Sequence, residues 1–525
     1  MPPIIFVALW ALAAAALVWL SIAFADGHLV YTIDDPYIHL AMAENIVRGV
    51  YGVNLGEFSS PSSSVIYPFI LALTEMLGLG MAGPLVVNLA AAGLSVWLLL
   101  DHFWSRAVPR DGNTYVFALA LSPLLVFLIN ALALPMTGME HALHVLAVVL
   151  VMRGLILAAE TGRVGPSLAI AIVLTPFVRF EGLALSGAAL LGLALLRRWR
   201  LALLLGLLLG LLLAAYAGFV HSLDLPVLPS SVMVKSDIVA NLARSRGLLK
   251  AVNDVADNLF KSVENRSGLV LALAICALMM VARRGDDTRR RLRSPEAVVA
   301  IVAGLALAAH LLAGLYGWFW RYEVYAFAIA AVAGIYVFRA ELAALQSQRL
   351  YVAQFALLLA TVTVATPYIY AAYLTPAASR GVYEQHHQMH RFATELFPRS
   401  VAVNDIGRVS YRNDSYVLDL FGLGSETVRR LKAARRFDAA AIERLARERS
   451  VDYAMIYAHR FWGRIPASWC PVAVLESEKV SAASGEVWFY LTRPEALEDL
   501  RRALARFRAT LPGRVALRDM QCDRP

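Results

Sequence analysis

The chain has 525 residues, of which 59% are hydrophobic and only 17% charged, and its mean hydropathy is +0.61. A soluble globule cannot cover that much apolar surface, so the composition excludes that class in favour of a polytopic membrane protein. The formal net charge of +9 does not point to nucleic acid, because much of the excess in the membrane half falls in short loops between apolar runs, where it reports topology.

Apolar runs near the ~20 residues that cross a bilayer recur from the N-terminus to about residue 374 and then stop. The first, from Ile4 to about Ala25, ends in an Ala-Phe-Ala that imitates a signal-peptidase site. No Lys or Arg precedes it, so an uncleaved first helix is expected. The basic loops "RRWR" (197–200), "RRGDDTRRRLR" (283–293) and "RAELAALQSQR" (339–349) are separated from one another by two spans each. The positive-inside rule therefore places all three in the cytoplasm and the tail from 375 to 525 outside.

Counting back from that tail puts the loops at 133–144, 178–182, 221–267 and 316–323 on the outer side, and the loop with Arg106 and Arg110 inside. The segment "SSSVIYPFILALTEMLGLG" (62–80) has a short apolar core that includes Pro68 and Glu75, which suits an interfacial or re-entrant helix. About 11 transmembrane helices are expected on this count, with the first outer loop at 31–80. The alternative, in which 62–80 crosses, gives 12 and moves that loop to the cytoplasm.

Directly after the first span stands "YTIDDPYIHLAMAENIVRG" (31–49), with adjacent carboxylates Asp34 and Asp35. One reading makes Asp34 a helix cap, since Pro36 suits the first helical turn and Gly49 a helix end. The other is chemical, because further charges adjoin apolar segments in the outer loops: Glu140, Arg179, Glu181, Lys235, Arg321 and Glu323. Ionisable groups at membrane depth mark function, although this pattern alone also fits a transporter.

Five segments in order along the chain carry a resemblance. "DDPYIHLAMAENIVRGVYGVNLGEFSSPSSSVIYPFILAL", "TGMEHALHVLAVVL", "TPFVRFEGLAL", "LPSSVMVKS" and "VAVNDIGRVSYRNDSYVLDLFGLGS" resemble, respectively, the first periplasmic loop, GLET-type, RPEG-type and PNT...AK-type segments and the Asp-Ile-Gly turn of the GT-C membrane glycosyltransferases. The likeness is to the branch that includes the mycobacterial terminal arabinofuranosyltransferase. His141 stands where that family often has Thr, Phe180 where Pro is frequent, and the "LPSSVMVKS" loop lacks the Asn, which leaves the donor sugar open.

The resemblance implies a GT-C-like polytopic α-helical membrane protein with a soluble C-terminal domain, moving a sugar from a polyprenyl-phosphate donor to an envelope glycan, lipid or protein acceptor. Arabinofuranose, another pentose or a hexose are the sugars it allows. It also implies the outer face of a bacterial inner membrane. In that chemistry a carboxylate takes the acceptor hydroxyl's proton, a role given to Asp34 with Asp35 as its orienting or acceptor-binding neighbour. The phosphate leaving group needs cations and hydrogen-bond donors more than an acid. Arg179, Lys235 and Arg321 are the expected donor ligands, with Glu140, His141 and Glu181 alongside, and no metal or cofactor is expected. A transporter or flippase of lipid-linked oligosaccharide is the rival function.

Bland readings stand beside these: Arg179 pairs with Glu181, Arg321 anchors among Trp318, Trp320 and Tyr322, and His141 with His144 packs. "EQHHQMH" (384–390) has zinc-compatible spacing at His386 and His390 but reads as a solvated helix face. In the tail, "SVAVNDIG", "SYVLDLFG", "VDYAMIYA" and "GEVWFYL" alternate with charged helices, which argues a small α/β domain. Asp405 and Asp419 suit turn and strand-end roles. Spacing leaves open whether Cys470 and Cys522 pair.

Overall fold

A computed structural model describes residues 2–109, 115–235, 248–282 and 292–522. The basic loop expected at 283–293 thus lies largely outside the described residues, as does Arg110. Among the described residues, six helices are long and apolar enough to cross a membrane: Pro2–Phe24, Gly80–Arg106, His141–Thr161, Trp199–Ser222, Pro295–Ala313 and Tyr351–Leu396. Two bent pairs join them, Val252–Glu264 with Arg266–Ala282 at 96° and Val324–Val337 with Arg339–Ser347 at 66°. Counting each bent pair as one span gives up to eight crossings among the described residues, against the about 11 expected; the shorter apolar helices Tyr115–Leu128, Pro166–Val178 and Gly182–Leu195 stand beside them. The chain is a polytopic helical membrane protein with a C-terminal α/β domain. Segment 62–80 forms only the ten-residue helix Tyr67–Met76, about 15 Å of rise against ~30 Å of hydrocarbon.

The chain divides into two compact units. Unit 1 comprises 1–17, 85–217 and 246–374, and unit 2 comprises 18–84, 218–245 and 375–525. The break at 374/375 falls where the apolar runs end. The first outer loop and 218–245 group with the tail in unit 2 rather than with the spans. The reason is a set of long-range polar bonds. Asn54 exchanges two hydrogen bonds with the backbone of Val417, Glu57 accepts from Tyr416, Glu44 accepts from the Arg412 N–H, and the Ser60 carbonyl accepts from the Ser230 N–H.

Unit 1 buries a continuous apolar core that includes Leu99, Phe103, Val148, Leu193, Val298 and Ile329. In unit 2 a six-stranded sheet runs in the order β2-β1-β3-β5-β4-β6. Its strands are β1 (Val401–Val403), β2 (Val417–Asp419), β3 (Tyr453–Ile456), β4 (Cys470–Glu476), β5 (Glu486–Leu491) and β6 (Ala516–Asp519). β1 pairs in parallel with β2 and β3, and the remaining pairings are antiparallel. The parallel half needs helical crossovers, and 426–448 supplies one as Glu426–Ala433 and Ala439–Glu448. Asp438 divides the two by accepting the Ala441 N–H at 2.9 Å, an N-cap bond.

Cys470 on β4 and Cys522 form a disulfide with Cα atoms 5.6 Å apart. Closing a loop of 52 residues restricts the unfolded tail enough to add roughly 4 kcal/mol on chain-entropy grounds. Replacing both cysteines with serine should lower the thermal midpoint of the tail, and a non-reducing peptide map of the wild type should show the linked fragments. An unchanged midpoint and unlinked peptides would remove the bond from the account.

Candidate active site

In unit 2, Asp34 precedes the helix Asp35–Val47, but its side chain makes no bond to that helix. It reaches instead to the Asp-Ile-Gly turn of the tail. Its Oδ2 accepts the Gly407 N–H at 2.7 Å and its Oδ1 accepts the Arg408 N–H at 2.8 Å. Gly407 is required by the closeness of this approach: a Cβ there would press on the Asp34 carbonyl oxygen and stand 2.6 Å from Oδ2. Each carboxylate oxygen keeps a lone pair beyond its backbone bond, so the clamp orients Asp34 and leaves room for a proton, while both bonds favour the charged form and oppose the rise in its pKa.

The same turn presents Asp405, whose Oδ2 meets His386 Nε2 at 3.2 Å. His386 sits in a π-turn, Tyr383–His387, and a second π-turn follows at Phe392–Leu396. The wider turns change which side chains face inward, and Glu384, Gln385, His386, His387 and Gln388 are all buried. The expectation of a solvated face is therefore corrected: α-helical spacing does not apply where π-turns interrupt it, and such turns are frequent at functional sites. Tyr457 donates to Gln385 Oε1 at 2.7 Å and lies 3.4 Å from His386 Nε2. Arg408 donates to His387 Nδ1 at 3.2 Å, and its guanidinium lies over the Tyr37 ring at 5.2 Å.

Burial pushes the Asp34 carboxyl up to about 6; the charge of His386 opposes the rise, and Asp405 adds to it. Burial also raises Asp405, but the hydrogen bond and charge of His386 outweigh it and hold that carboxyl below the usual range. Two half-buried carboxylates are thus driven apart, and Asp34 is the one poised near neutral pH. Asp35 is half-buried beside it, and its charge is felt at His386.

Unit 1 holds a second polar cluster, built at the ends of its helices. Glu140 precedes His141–Thr161, Arg179 ends Pro166–Val178, and Glu181 precedes Gly182–Leu195. Arg179 is buried between the two carboxylates, 2.5 Å from Glu140 and 2.6 Å from Glu181. Arg179 and Arg321 both lie over the Tyr322 ring, at 5.8 and 5.0 Å, and His141 meets the same ring edge-on at 5.8 Å. His310 bonds the Tyr325 hydroxyl at 2.9 Å, and that ring stacks near His144 at 4.6 Å. Arg321 follows a left-handed turn in which Gly317, Trp318, Phe319 and Trp320 all have positive φ, a conformation that bulky residues rarely adopt. Lys235 ends the helix Ser230–Lys235, and its side chain lies outside the described residues.

The pairing of Arg179 is structural before anything else. Arg179→Ala should destabilise the protein by ~3–5 kcal/mol, because it leaves the buried Glu140 without its counter-charge and facing the half-buried Glu181. A thermal melt in detergent checks this, and an unchanged melt with weakened donor binding would instead mark Arg179 as a pure ligand.

Sequence reading brought out Asp34 and Asp35, gave His386 and Asp405 only a solvated face and a turn, and missed Arg408 and Tyr457. The signal available was a polar run, "YEQHHQ", following a long apolar helix. Asp419 has the turn role expected of it, accepting from the Phe421 and Gly424 N–H groups, each at 2.7 Å. Among the described residues, no group of three or more His, Cys, Asp or Glu is placed to hold a metal.

A family model described as "Domain of unknown function (DUF8728)" matches residues 376–490, well short of half the chain. No curated protein matches. Among solved structures, the chain is similar to the archaeal oligosaccharyltransferase AglB from Archaeoglobus fulgidus in complex with an inhibitory peptide and a dolichol-phosphate. That likeness has 12% identity and a TM-score of 0.42, covering 98% of this chain and 76% of the other. It is also similar to apo ArnT from Cupriavidus metallidurans, with 12% identity, a TM-score of 0.45, and coverage of 94% and 99%. A further structure of the Archaeoglobus fulgidus oligosaccharyltransferase, complexed with Zn and sulfate, gives 13%, 0.47, 97% and 75% in the same order. At TM-scores below 0.5 these likenesses do not establish family membership.

Proposed function

We propose that the protein is a GT-C-type glycosyltransferase that moves a sugar from a polyprenyl-phosphate donor to a hydroxyl of an envelope glycan, lipid or protein at the outer face of a bacterial inner membrane. The observation that carries this reading is Asp34: a carboxylate directly after an apolar helix, clamped by two backbone N–H groups and raised by burial to about 6, where a general base works best near neutral pH. The acceptor O–H gives its proton to Asp34 as its oxygen bonds the anomeric carbon, and the bond to the donor phosphate breaks. The phosphate leaves as a stable anion, and Lys235 is the cation of unit 2 that we assign to it. Asp35 orients the acceptor. The disulfide supports an extracytoplasmic tail, because such bonds persist in oxidising compartments. The five ordered sequence segments support the class of donor and leave the sugar open, with arabinofuranose as one choice.

The test is release of polyprenyl phosphate by purified protein from a panel of polyprenyl-phosphate pentoses and hexoses, with and without envelope acceptors. Acceptor-dependent release from one donor is expected. Absence of release across a panel that includes arabinofuranose would count against the reading.

A further inference from the structure

We propose that unit 1 binds the headgroup of an anionic phospholipid in an arginine-lined cavity at the helix ends opposite the Glu140–Arg179–Glu181 cluster. The cavity has a volume of about 710 Å³ and is lined by Gly162, Arg163, Val164 and the segment 197–201, which contributes Arg197, Arg198 and Arg200. Among the described residues, no carboxylate belongs to the lining.

The position follows from the helices. His141–Thr161 begins beside Glu140 and ends at Gly162, while Gly182–Leu195 begins beside Glu181 and ends just before Arg197. His141–Thr161 has 21 residues and Gly182–Leu195 has 14, rises of about 31 and 21 Å that both exceed half the ~30 Å hydrocarbon core, so the cavity belongs to the other leaflet. Arg198 donates to the Gly162 carbonyl and so ties the two lining segments together, while Arg200 stacks on Trp199 at 5.3 Å. Arg197 is held at φ 63°, a conformation uncommon for a residue with a side chain.

The occupant is a lipid rather than a free anion because of what continues from the cavity. Trp199, at the interface end of Trp199–Ser222, is exposed, and along that helix Leu204, Leu207 and Leu211 are 62%, 64% and 66% exposed on one stripe. A headgroup phosphate among the arginines would lay its acyl chains on that stripe. Guanidinium forks suit phosphate oxygens, and basic pockets between spans recognise anionic headgroups. Positive-inside topology requires only the charge, whereas headgroup binding requires the forks.

Lysine substitution separates the two. Native mass spectrometry of the purified full chain, titrated with dioleoyl-phosphatidylglycerol, dioleoyl-phosphatidylcholine or inorganic phosphate, should show one phosphatidylglycerol retained about tenfold more readily than phosphatidylcholine. The preference should vanish in the double variant Arg197→Lys with Arg200→Lys, which keeps the topological charge. A photoactivatable phosphatidylglycerol should also cross-link the wild type within 197–211, an arm that does not depend on the variant folding. Equal retention of the two lipids, an unaltered preference in the lysine variant, cross-linking elsewhere, or displacement of the lipid by millimolar phosphate would overturn the proposal.

Discussion

Asp34→Asn is expected to lower the rate of sugar transfer by ~10²- to 10⁴-fold, the usual consequence of losing a general base. The amide also offers one acceptor oxygen to two backbone donors, Gly407 and Arg408, so the variant loosens the clamp as well. A pH profile separates the two effects. Asp34 must be ionised to accept a proton, and burial places its pKa at about 6. In the wild type kcat/KM should therefore rise with pH below about 6 and level off above it. The groups that set that limb are His386, which lowers the pKa, and Asp405, which raises it. His386→Gln removes the opposing charge, so its limb should move to higher pH, while Asp35→Asn should act mainly on the KM of the acceptor. A limb that stays in place in His386→Gln would take Asp34 out of the proton-accepting role.

Gly407→Ala should also damage transfer, although it removes no chemical group. The new Cβ would meet the backbone carbonyl of Asp34 and its carboxylate, and main chain cannot swing aside as the end of a side chain can. Overpacking of this kind costs ~1–3 kcal/mol, and here it acts on the bonds that orient Asp34. Activity should fall by at least ~10-fold, since misplacement of a reacting group by about 1 Å has effects of that order or larger. Gly513→Ala is the control: nothing lies within 4 Å of a Cβ there, so activity and melting should stay at wild-type values. Equal activity of the two variants would mean that the clamp does not position the aspartate.

What the sequence made legible follows from which forces are local. Spans are written in length and composition, and the apolar segments emerge as helices. β1, β2, β3 and β5 were legible because β-branched and aromatic runs end at turn residues, as in "VDYAMIYA". β4 contains Pro471 and begins at the disulfide, and β6 is the edge strand "ALRD", with three of its four residues exposed, so neither carries an alternating signal. The acidic pair was legible from its place after a span. Its clamp was not, because the bonds from Asp34 to the turn join residues more than 370 positions apart. His386 was misjudged for a geometric reason, since a π-turn shifts side chains off the face that 3.6-residue spacing assigns them.

The central claim is chemistry at Asp34 rather than movement of an intact lipid-linked sugar. The measurement that tests it most directly is mass spectrometry of both products in sealed vesicles, with wild type and Asp34→Asn reconstituted beside the same polyprenyl-phosphate sugar and acceptor. The account predicts that the wild type yields acceptor heavier by one sugar together with an equal amount of polyprenyl phosphate, and that the variant makes at least ~10²-fold less of both. Intact donor appearing in the opposite leaflet, with no glycosylated acceptor from either protein, would contradict it and leave transport as the function.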